Sequence, residues 1–540
     1  MGLVSIGPRI RAGTNHVFVV VAAVSLVVFV ATVLAQRGRY LNLDVAWYAY
    51  AATHVDLGSC RLYVDCFVDT NPPFALWFTA AMARAGALLG LDPVASIRIA
   101  VAVLSLATGA LLYSAFSAVL RRRGAQPLAL ASGYLAIVGF VSIGDYAQRE
   151  HVIALLIAPY VVSLPLAAGA MGLELALASG VLAGLAVAIK PYYAMLPLAC
   201  ELWVVWRASS LRPILRPQAI ALAAIVVACF AALVLWAPGY LPLARVIALA
   251  YPAYQEGLST LLQIDRVTIA VLVLPLVAWI AARSPEDCAP ALPLCVAAAA
   301  AALVYFYQRM GYSYQAIPAL ALILLAAYCT SLRLLAAGPR VRVVALCASG
   351  CVLLIVFSVA GRLVARHGTE ALAMLAGSSR PEASSGAATE DTDVVASYGE
   401  ETAWMIAAIR RHAGRGDIGY LSTSIDPLFP ALLYTDASLA NRMPHLWLLP
   451  ALTRNGGIDD ATRDRLRGLL VDTLRQDLAK RPPRLIIEVR GRVQGVDGDG
   501  FSPIRFLSAD LALRHVLLAY REVDRMRRGG REVVLFRAEP

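Results

Sequence analysis

Asp44 stands in the run Tyr40-Leu41-Asn42-Leu43-Asp44-Val45-Ala46-Trp47-Tyr48, a few residues beyond the first long apolar stretch. An ionisable group kept beside a membrane crossing is costly, so it asks for a functional reason. Aromatic neighbours and a membrane surface can hold such a carboxylate in a protected place, where it can take a proton from a reacting hydroxyl. The chain continues through Tyr63, Asp65, Asp69 and Asn71-Pro72-Pro73. Taken alone, Asp65 and Asp69 are equally well explained as loop carboxylates that prefer water.

A second concentration of polar groups reads Gly144-Asp145-Tyr146-Ala147-Gln148-Arg149-Glu150-His151, between two apolar stretches. Its carboxylates could face Asp44 and orient an acceptor, or join Asp44 in binding a divalent cation such as Mg or Mn. Arg149 and His151 could hold phosphate. Capping of the two flanking helices is the plainer alternative. Lys190 follows Gly184-Leu185-Ala186-Val187-Ala188-Ile189 and precedes Pro191-Tyr192-Tyr193. It either neutralises a leaving phosphate or simply snorkels to the interface. Gln308-Arg309-Met310-Gly311-Tyr312-Ser313-Tyr314-Gln315 adds a cation, rings and amides suited to a sugar or a lipid phosphate, with an aromatic belt as the alternative. No Walker loop, GxSxG elbow, HExxH or CxxC framework occurs. Glu174 and Glu201 lie near membrane ends and are expected to be solvated or helix-terminal, without a catalytic role.

The elements that must position these groups are membrane helices. With 540 residues, 59% hydrophobic and only 15% charged, and a mean hydropathy of +0.68, the chain is no ordinary soluble globule, whose charged share is about a quarter. The formal charge of +11 is spread in short clusters between apolar runs, which fits topology and anionic membrane lipids and gives no nucleic-acid face. Stretches long enough to cross lie near 16–35, 95–119, 127–144, 152–169, 172–189, 191–206, 218–236, 266–282, 290–306, 315–332 and 341–360. The first reads as a retained helix and not as a cleaved signal.

Arg9 and Arg11, Arg121-Arg122-Arg123, Arg207, Arg212 and Arg216, Arg283, and Arg333, Arg340 and Arg342 fall on one side, which the positive-inside rule makes cytoplasmic along with the N-terminus. This works only if Pro73 to Gly90 does not cross. It is therefore expected as an interfacial helix in a first outer loop spanning 36–94, with Trp77 at headgroup depth. Every candidate site residue named above then lies on the outer side.

A linker rich in Ser, Ala, Gly and acidic residues is expected within 361–395, followed by a soluble α/β domain over 396–540. Its expected elements are a helix over Trp404 to His412, strands over Ile418 to Ser422 and Arg484 to Val489, a helix over Thr462 to Lys480, and a closing hairpin through Arg528-Gly529-Gly530-Arg531. Within it Asp426-Pro427 and Asn441-Arg442-Met443-Pro444-His445 could contact a glycan. Nine cysteines show no metal spacing. Cys60 and Cys66 flank a polar stretch of the first loop and could pair if that loop faces an oxidising compartment.

The membrane part, roughly residues 15 to 360, resembles the GT-C membrane glycosyltransferases, which include protein O-mannosyltransferases and the aminoarabinose transferases acting on lipid A. The resemblance rests on Asp44 with Trp47-Tyr48, on Tyr63-Val64-Asp65 leading to Asn71-Pro72-Pro73, on the Asp145 to His151 loop, and on Gly184 to Lys190. It implies a multi-pass bacterial inner-membrane enzyme of about eleven membrane helices. It implies transfer of a sugar from a polyprenyl-phosphate donor to a hydroxyl of a glycan, lipid or protein on the periplasmic face, with inversion. Asp44 matches the general base, and Asp145 and Glu150 are similar in placement to acidic residues that bind metal in some members and orient substrate in others. Tyr48, Asp65, Asn71, Arg149, His151, Lys190, Tyr192, Gln308, Arg309 and Tyr314 are the substrate-binding candidates. Two departures leave metal and sugar open: Val45 where mannosyltransferases often carry a second acidic residue, and Asn71 where some relatives carry lysine before proline. A lipid or solute transporter, and a polymerase or ligase using a diphosphate-linked donor, are the competing readings.

Overall fold

The computed structural model describes residues 8–335 and 393–539, apart from 38, 56–58, 122, 168–170, 265, 284–289, 454–457, 492–500 and 529. The expected crossing at 341–360, nearly all of the expected linker, and Arg122, Arg340 and Arg342 lie outside the described residues. The chain forms two compact units. One comprises Met1–Arg39, Ile97–Phe230 and Glu256–Pro381, and the other Tyr40–Ser96, Ala231–Gln255 and Glu382–Pro540.

Ten of the eleven expected apolar stretches carry a helix among the described residues, lying wholly or mostly in the first unit: Pro8–Leu34, Pro93–Leu120, Ala125–Val141, Arg149–Ser163, Leu173–Ile189, Met195–Ala208, Pro217–Trp236, Arg266–Arg283, Ala291–Gln308 and Ile317–Leu335. Among the described residues six helical stretches are long and apolar enough to cross a membrane, and three shorter apolar helices accompany them. The helix is what apolar surroundings require, because it satisfies its own backbone. The Arg149–Ser163 helix is the centre of this unit, with all 15 residues buried. The Gln148 side chain accepts the Arg149 amide at its start, so Arg149, Glu150 and His151 form the first helical turn and not the preceding loop.

Small residues set how closely the helices approach. A Cβ on Gly180 would lie 2.3 Å from the Gln218 carbonyl oxygen, and one on Gly184 would lie 2.7 Å from Ile225 Cβ. That approach lets Gln218 donate to Ser163 Oγ at 2.8 Å, to Ser179 Oγ at 3.0 Å and to the Tyr160 carbonyl at 3.2 Å. Glu201, expected to be solvated or helix-terminal, lies inside the Met195–Ala208 helix, gripped by Arg216 at 2.5 and 2.7 Å and accepting the Tyr160 hydroxyl. Apolar packing around a carboxylate is tolerated only with such a partner.

The second unit joins the first large loop to the C-terminal residues. Its sheet has the order β2-β1-β3-β5-β4, with β1 Asp417–Leu421, β2 Ser438–Leu439, β3 Leu485–Gly491, β4 Tyr520–Arg528 and β5 Arg531–Ala538. Strand β1 runs parallel to β2 and β3, while β5 is antiparallel to β3 and β4, with Ile487 opposite Leu535. β3 is covered on both faces, apolar through Leu485, Ile487 and Val489 on one and bearing Glu488 and Arg490 on the other. Its buried Glu488 is held by Arg490 at 2.5 Å, by the Ile504 amide at 2.9 Å and by the Ser502 hydroxyl. Edge strand β4 is charged, which discourages pairing with other chains. Helices Asp393–His412, Asp460–Lys480 and Leu511–Leu518 complete this part. The loop contributes helices Leu43–His54 and Phe74–Ala87. The latter has 14 residues, about 21 Å at 1.5 Å per residue, too short for a bilayer core of about 30 Å.

Candidate functional site

In the second unit Asp44 occupies the first turn of the Leu43–His54 helix, and the Asn42 side chain caps that helix by accepting the Asp44 amide at 3.1 Å. One turn on, Trp47 donates its indole N–H to Asp69 Oδ2 at 2.6 Å. The other oxygen of Asp69 accepts the Asn71 backbone amide at 2.9 Å and the Asn71 side-chain amide at 3.0 Å, the turn that an aspartate two residues before Asn-Pro-Pro is suited to make. Tyr63 fixes the same turn by donating to the Asn71 carbonyl at 2.6 Å. Trp47 stacks on Phe67 at 5.2 Å, and Tyr48 lies against Phe67 at 6.1 Å.

Cys60 and Cys66 are joined in a disulfide. The segment they bracket carries Tyr63, with Phe67 just beyond it, both at positive φ. Asp65 takes no part in the Asp69 turn: it is exposed and paired with Arg61 at 2.7 Å, which holds its carboxyl below the ordinary aspartate range.

The C-terminal residues reach this loop through Arg442. The Val68 amide donates to the Arg442 carbonyl at 2.9 Å, and the Arg442 guanidinium donates to the Val64 carbonyl at 2.6 Å and to Asp477 at 2.6 Å. Three residues on, His445 lies within the electrostatic reach of Asp69 and Asp44. Burial pushes its imidazole down to about 4, against the upward pull of the two carboxylates. Its Nδ1 and the neighbouring Trp447 Nε1 are buried with no hydrogen-bond partner among the described residues. The sequence offered Asn441 to His445 as a polar loop that could contact a glycan, not as a partner of the first large loop. Asp69, Trp47 and Trp447 were not among its site candidates.

In the first unit the second polar cluster is assembled. Glu150 is 0% exposed and Lys190 3%, and the Lys190 ammonium donates to Glu150 Oε1. Lys190 does not snorkel. It ends the Leu173–Ile189 helix in extended conformation, and Pro191 starts the next turn. Its ammonium lies 5.6 Å from the centre of the Tyr314 ring. Glu150 Oε2 is buried without a partner among the described residues. Tyr192 has Arg149 and Glu150 as electrostatic neighbours. The His151 ring accepts the Ala147 amide at Nδ1, 3.1 Å away, which places the ring proton on Nε2, free in chemical terms to donate.

Asp145 accepts the Ser313 hydroxyl at 2.9 Å, bringing the Asp145 turn to the Gln308–Gln315 segment. Arg309 ends the Ala291–Gln308 helix in the left-handed conformation, and its carbonyl accepts the Glu256 amide at 2.6 Å. Tyr312 and Tyr314 stack at 5.3 Å.

The possible cation fares differently. No group of three His, Cys, Asp or Glu side chains able to hold a metal occurs among the described residues. Glu150 is engaged by Lys190 and Asp145 by Ser313. Glu150 and Asp145 are thus taken up by protein partners and offer no ready-made cation site between them.

No protein-family model matches the sequence, and no curated protein matches it. The structure is similar to that of ArnT from Cupriavidus metallidurans bound to undecaprenyl phosphate, with a TM-score of 0.52 and 16% identity over 96% of this chain and 97% of that one. It is also similar to the arabinofuranosyltransferase AftD from Mycobacteria, with a TM-score of 0.43 and 16% identity over 97% of this chain and 40% of that one. The similarity to ArnT is one of fold, and the fold is the expected GT-C type: a helical membrane part with a small sheet domain at the C-terminus. Its coverage takes in the C-terminal domain, which the sequence resemblance left out.

Proposed function

We propose that the chain is a membrane glycosyltransferase that moves a sugar from a polyprenyl-phosphate donor to an acceptor hydroxyl. The observation that carries this reading is the Lys190–Glu150 pair with Arg149 beside it, cationic groups buried in an apolar helical bundle. Buried charge of this kind is expensive and marks a functional site by default. The ArnT of the same fold was solved bound to undecaprenyl phosphate, which supports a lipid phosphate as the anion.

In this reaction Asp44 takes the acceptor proton as the new C–O bond forms at the anomeric carbon. A positioned base of this kind contributes about 100- to 10,000-fold. The bond from that carbon to the phosphate oxygen breaks, and the leaving polyprenyl phosphate carries away the electron pair. A single displacement inverts the carbon. Lys190, Arg149 and Arg309 meet the developing phosphate charge, and a leaving phosphate needs such cations more than it needs an acid. The acceptor is a glycan, lipid or protein.

The site is assigned to the periplasmic side of a bacterial inner membrane, with the N-terminus cytoplasmic. The grouping of basic residues supports this. So does the Cys60–Cys66 disulfide, a bond that persists in oxidising compartments. A membrane-impermeant reagent should label the C-terminal domain in intact spheroplasts, and labelling only after lysis would reverse the assignment.

The donor reading is tested by thermal unfolding of the purified protein with undecaprenyl monophosphate. At 100 times its dissociation constant the ligand should stabilise the native state by about 2.7 kcal/mol, and Lys190→Ala, checked for folding, should lose that gain. No shift in the folded wild type would refute the donor class. Asp44→Asn should abolish transfer while retaining lipid binding, and substantial residual transfer would remove Asp44 as base.

A further inference from the structure

Gln308 closes the Ala291–Gln308 helix, and Gln315 lies in the short turn Ser313–Ala316. Their side chains are almost wholly buried, at 2% and 1% exposure. They share one hydrogen bond, from Gln315 Nε2 to Gln308 Oε1 at 3.1 Å. Beyond it, Gln308 Nε2 and Gln315 Oε1 are buried with no partner among the described residues. Exchanging oxygen and nitrogen in both amides reverses the shared bond and still leaves one open donor and one open acceptor. One open donor and one open acceptor remain in either amide orientation. An amide atom buried without a partner costs about 1–3 kcal/mol, so two of them side by side call for a ligand or a water that both donates and accepts.

The surroundings are those of the proposed phosphate site. Tyr193 donates its hydroxyl to the Gln315 carbonyl at 3.4 Å, and its amide donates to the Lys190 carbonyl at 3.0 Å. Tyr314, the residue before Gln315, is the ring beside the Lys190 ammonium. Glu150 Oε2, another open acceptor, belongs to the residue paired with that ammonium.

Chemistry selects among the groups that could fill this place. An ionised phosphate only accepts; it would satisfy Gln308 Nε2 but set lone pairs against Gln315 Oε1 and Glu150 Oε2. A hydroxyl both donates and accepts, and two neighbouring hydroxyls answer both open amide atoms. We infer that Gln308 and Gln315 read the hydroxyl groups of the lipid-linked sugar, separately from the phosphate that Lys190 and Arg149 hold. This rests on the donor class proposed above and adds the part of the site that distinguishes one sugar from another.

The test measures binding of the full-length protein to undecaprenyl phosphate and to undecaprenyl-phosphoryl glucose, mannose and arabinose, which differ in hydroxyl pattern. Wild type should bind at least one sugar-bearing lipid about tenfold more tightly than the bare phosphate, or by about 1.4 kcal/mol. The double variant Gln308→Leu/Gln315→Leu removes both amides together and so leaves neither unpaired. It should keep the affinity for undecaprenyl phosphate within about twofold and lose the sugar increment. Gln315→Asn, which keeps an amide but shortens its reach, should lose the increment as well.

A double variant that retains the increment would show that the amides hold only water and would overturn the inference. One that loses both lipids equally would show that the amides only support the structure, and that too would overturn it. Wild type that binds undecaprenyl phosphate but gains nothing from any of the sugars defeats this inference and leaves the donor reading standing. Wild type that binds none of the lipids defeats both.

Discussion

Breaking the Glu150–Lys190 pair tests whether these charges hold each other in the bundle. Two unit charges about 4 Å apart attract by roughly 4 kcal/mol at an effective dielectric of about 20. With Glu150 at 0% and Lys190 at 3% exposure, losing either partner leaves the other as an uncompensated buried charge. Such losses cost about 3–5 kcal/mol, whereas replacing both charges together is often close to neutral. Lys190→Met and Glu150→Gln should therefore each destabilise by about 3 kcal/mol or more, and the double variant should be more stable than either. The coupling should approach about 3 kcal/mol, the upper end for interacting residues. At roughly 2 °C per kcal/mol for a large domain, the single variants should melt about 6 °C or more below wild type, followed by tryptophan fluorescence in one detergent. The double variant should recover most of that loss and still show no stabilisation by undecaprenyl phosphate. Single-variant losses that simply add in the double variant would refute the reasoning, since independent effects leave no pair to break.

His445 gives a pH dependence of known sign. Its folded pKa is about 4 against about 6.5 when unfolded, so the unfolded state binds more protons between these values and stability falls as pH drops through that window. Relative to pH 8, wild type at pH 5 should lose about 2 kcal/mol more than His445→Gln, and parallel melting curves for the two would rule out His445. Gly180→Ala should cost about 1–3 kcal/mol, because the new methyl meets a backbone carbonyl that cannot step aside; an unchanged melting temperature would mean that the two helices are less tightly apposed. Cys60→Ser with Cys66→Ser opens a loop of sequence separation 6 and should cost about 2 kcal/mol on chain entropy alone, measured by melting with and without reductant. Reductant should leave the double serine variant unaffected, and an equal loss in both proteins would place the effect elsewhere.

The membrane helices were legible because an apolar run of bilayer length has few other ways to satisfy its backbone. The central strand Leu485–Gly491 and the closing hairpin were legible for a related reason: their apolar and charged patterns match a covered strand and an edge strand. Pairings between distant positions were not legible. Glu150 and Lys190 are 40 residues apart, and Asp145 and Ser313 are 168 apart; one sequence gives their types but not their meeting. Asp65 and Asp69 show the limit most sharply. They are the same residue type in one loop, yet one pairs with Arg61 at the surface and the other is buried beneath the Trp47 indole. Only the fold of the loop separates them.

The second unit also has a consequence for how the protein is made. The Leu439 amide donates to the Tyr50 hydroxyl at 2.6 Å, closing a sequence separation of 389 residues. At roughly 5–20 residues per second of synthesis, about 20–80 s pass between emergence of the loop and arrival of the residues that complete it. Through that interval the cluster of Trp47, Tyr50 and Phe67 waits without Phe429, against which Trp47 and Tyr50 pack. The Cys60–Cys66 bridge needs no later residue and can close first. Nascent chains halted before residue 429 would therefore present the loop as an uncovered aromatic surface, making biogenesis the stage at which loss of the C-terminal residues is first felt.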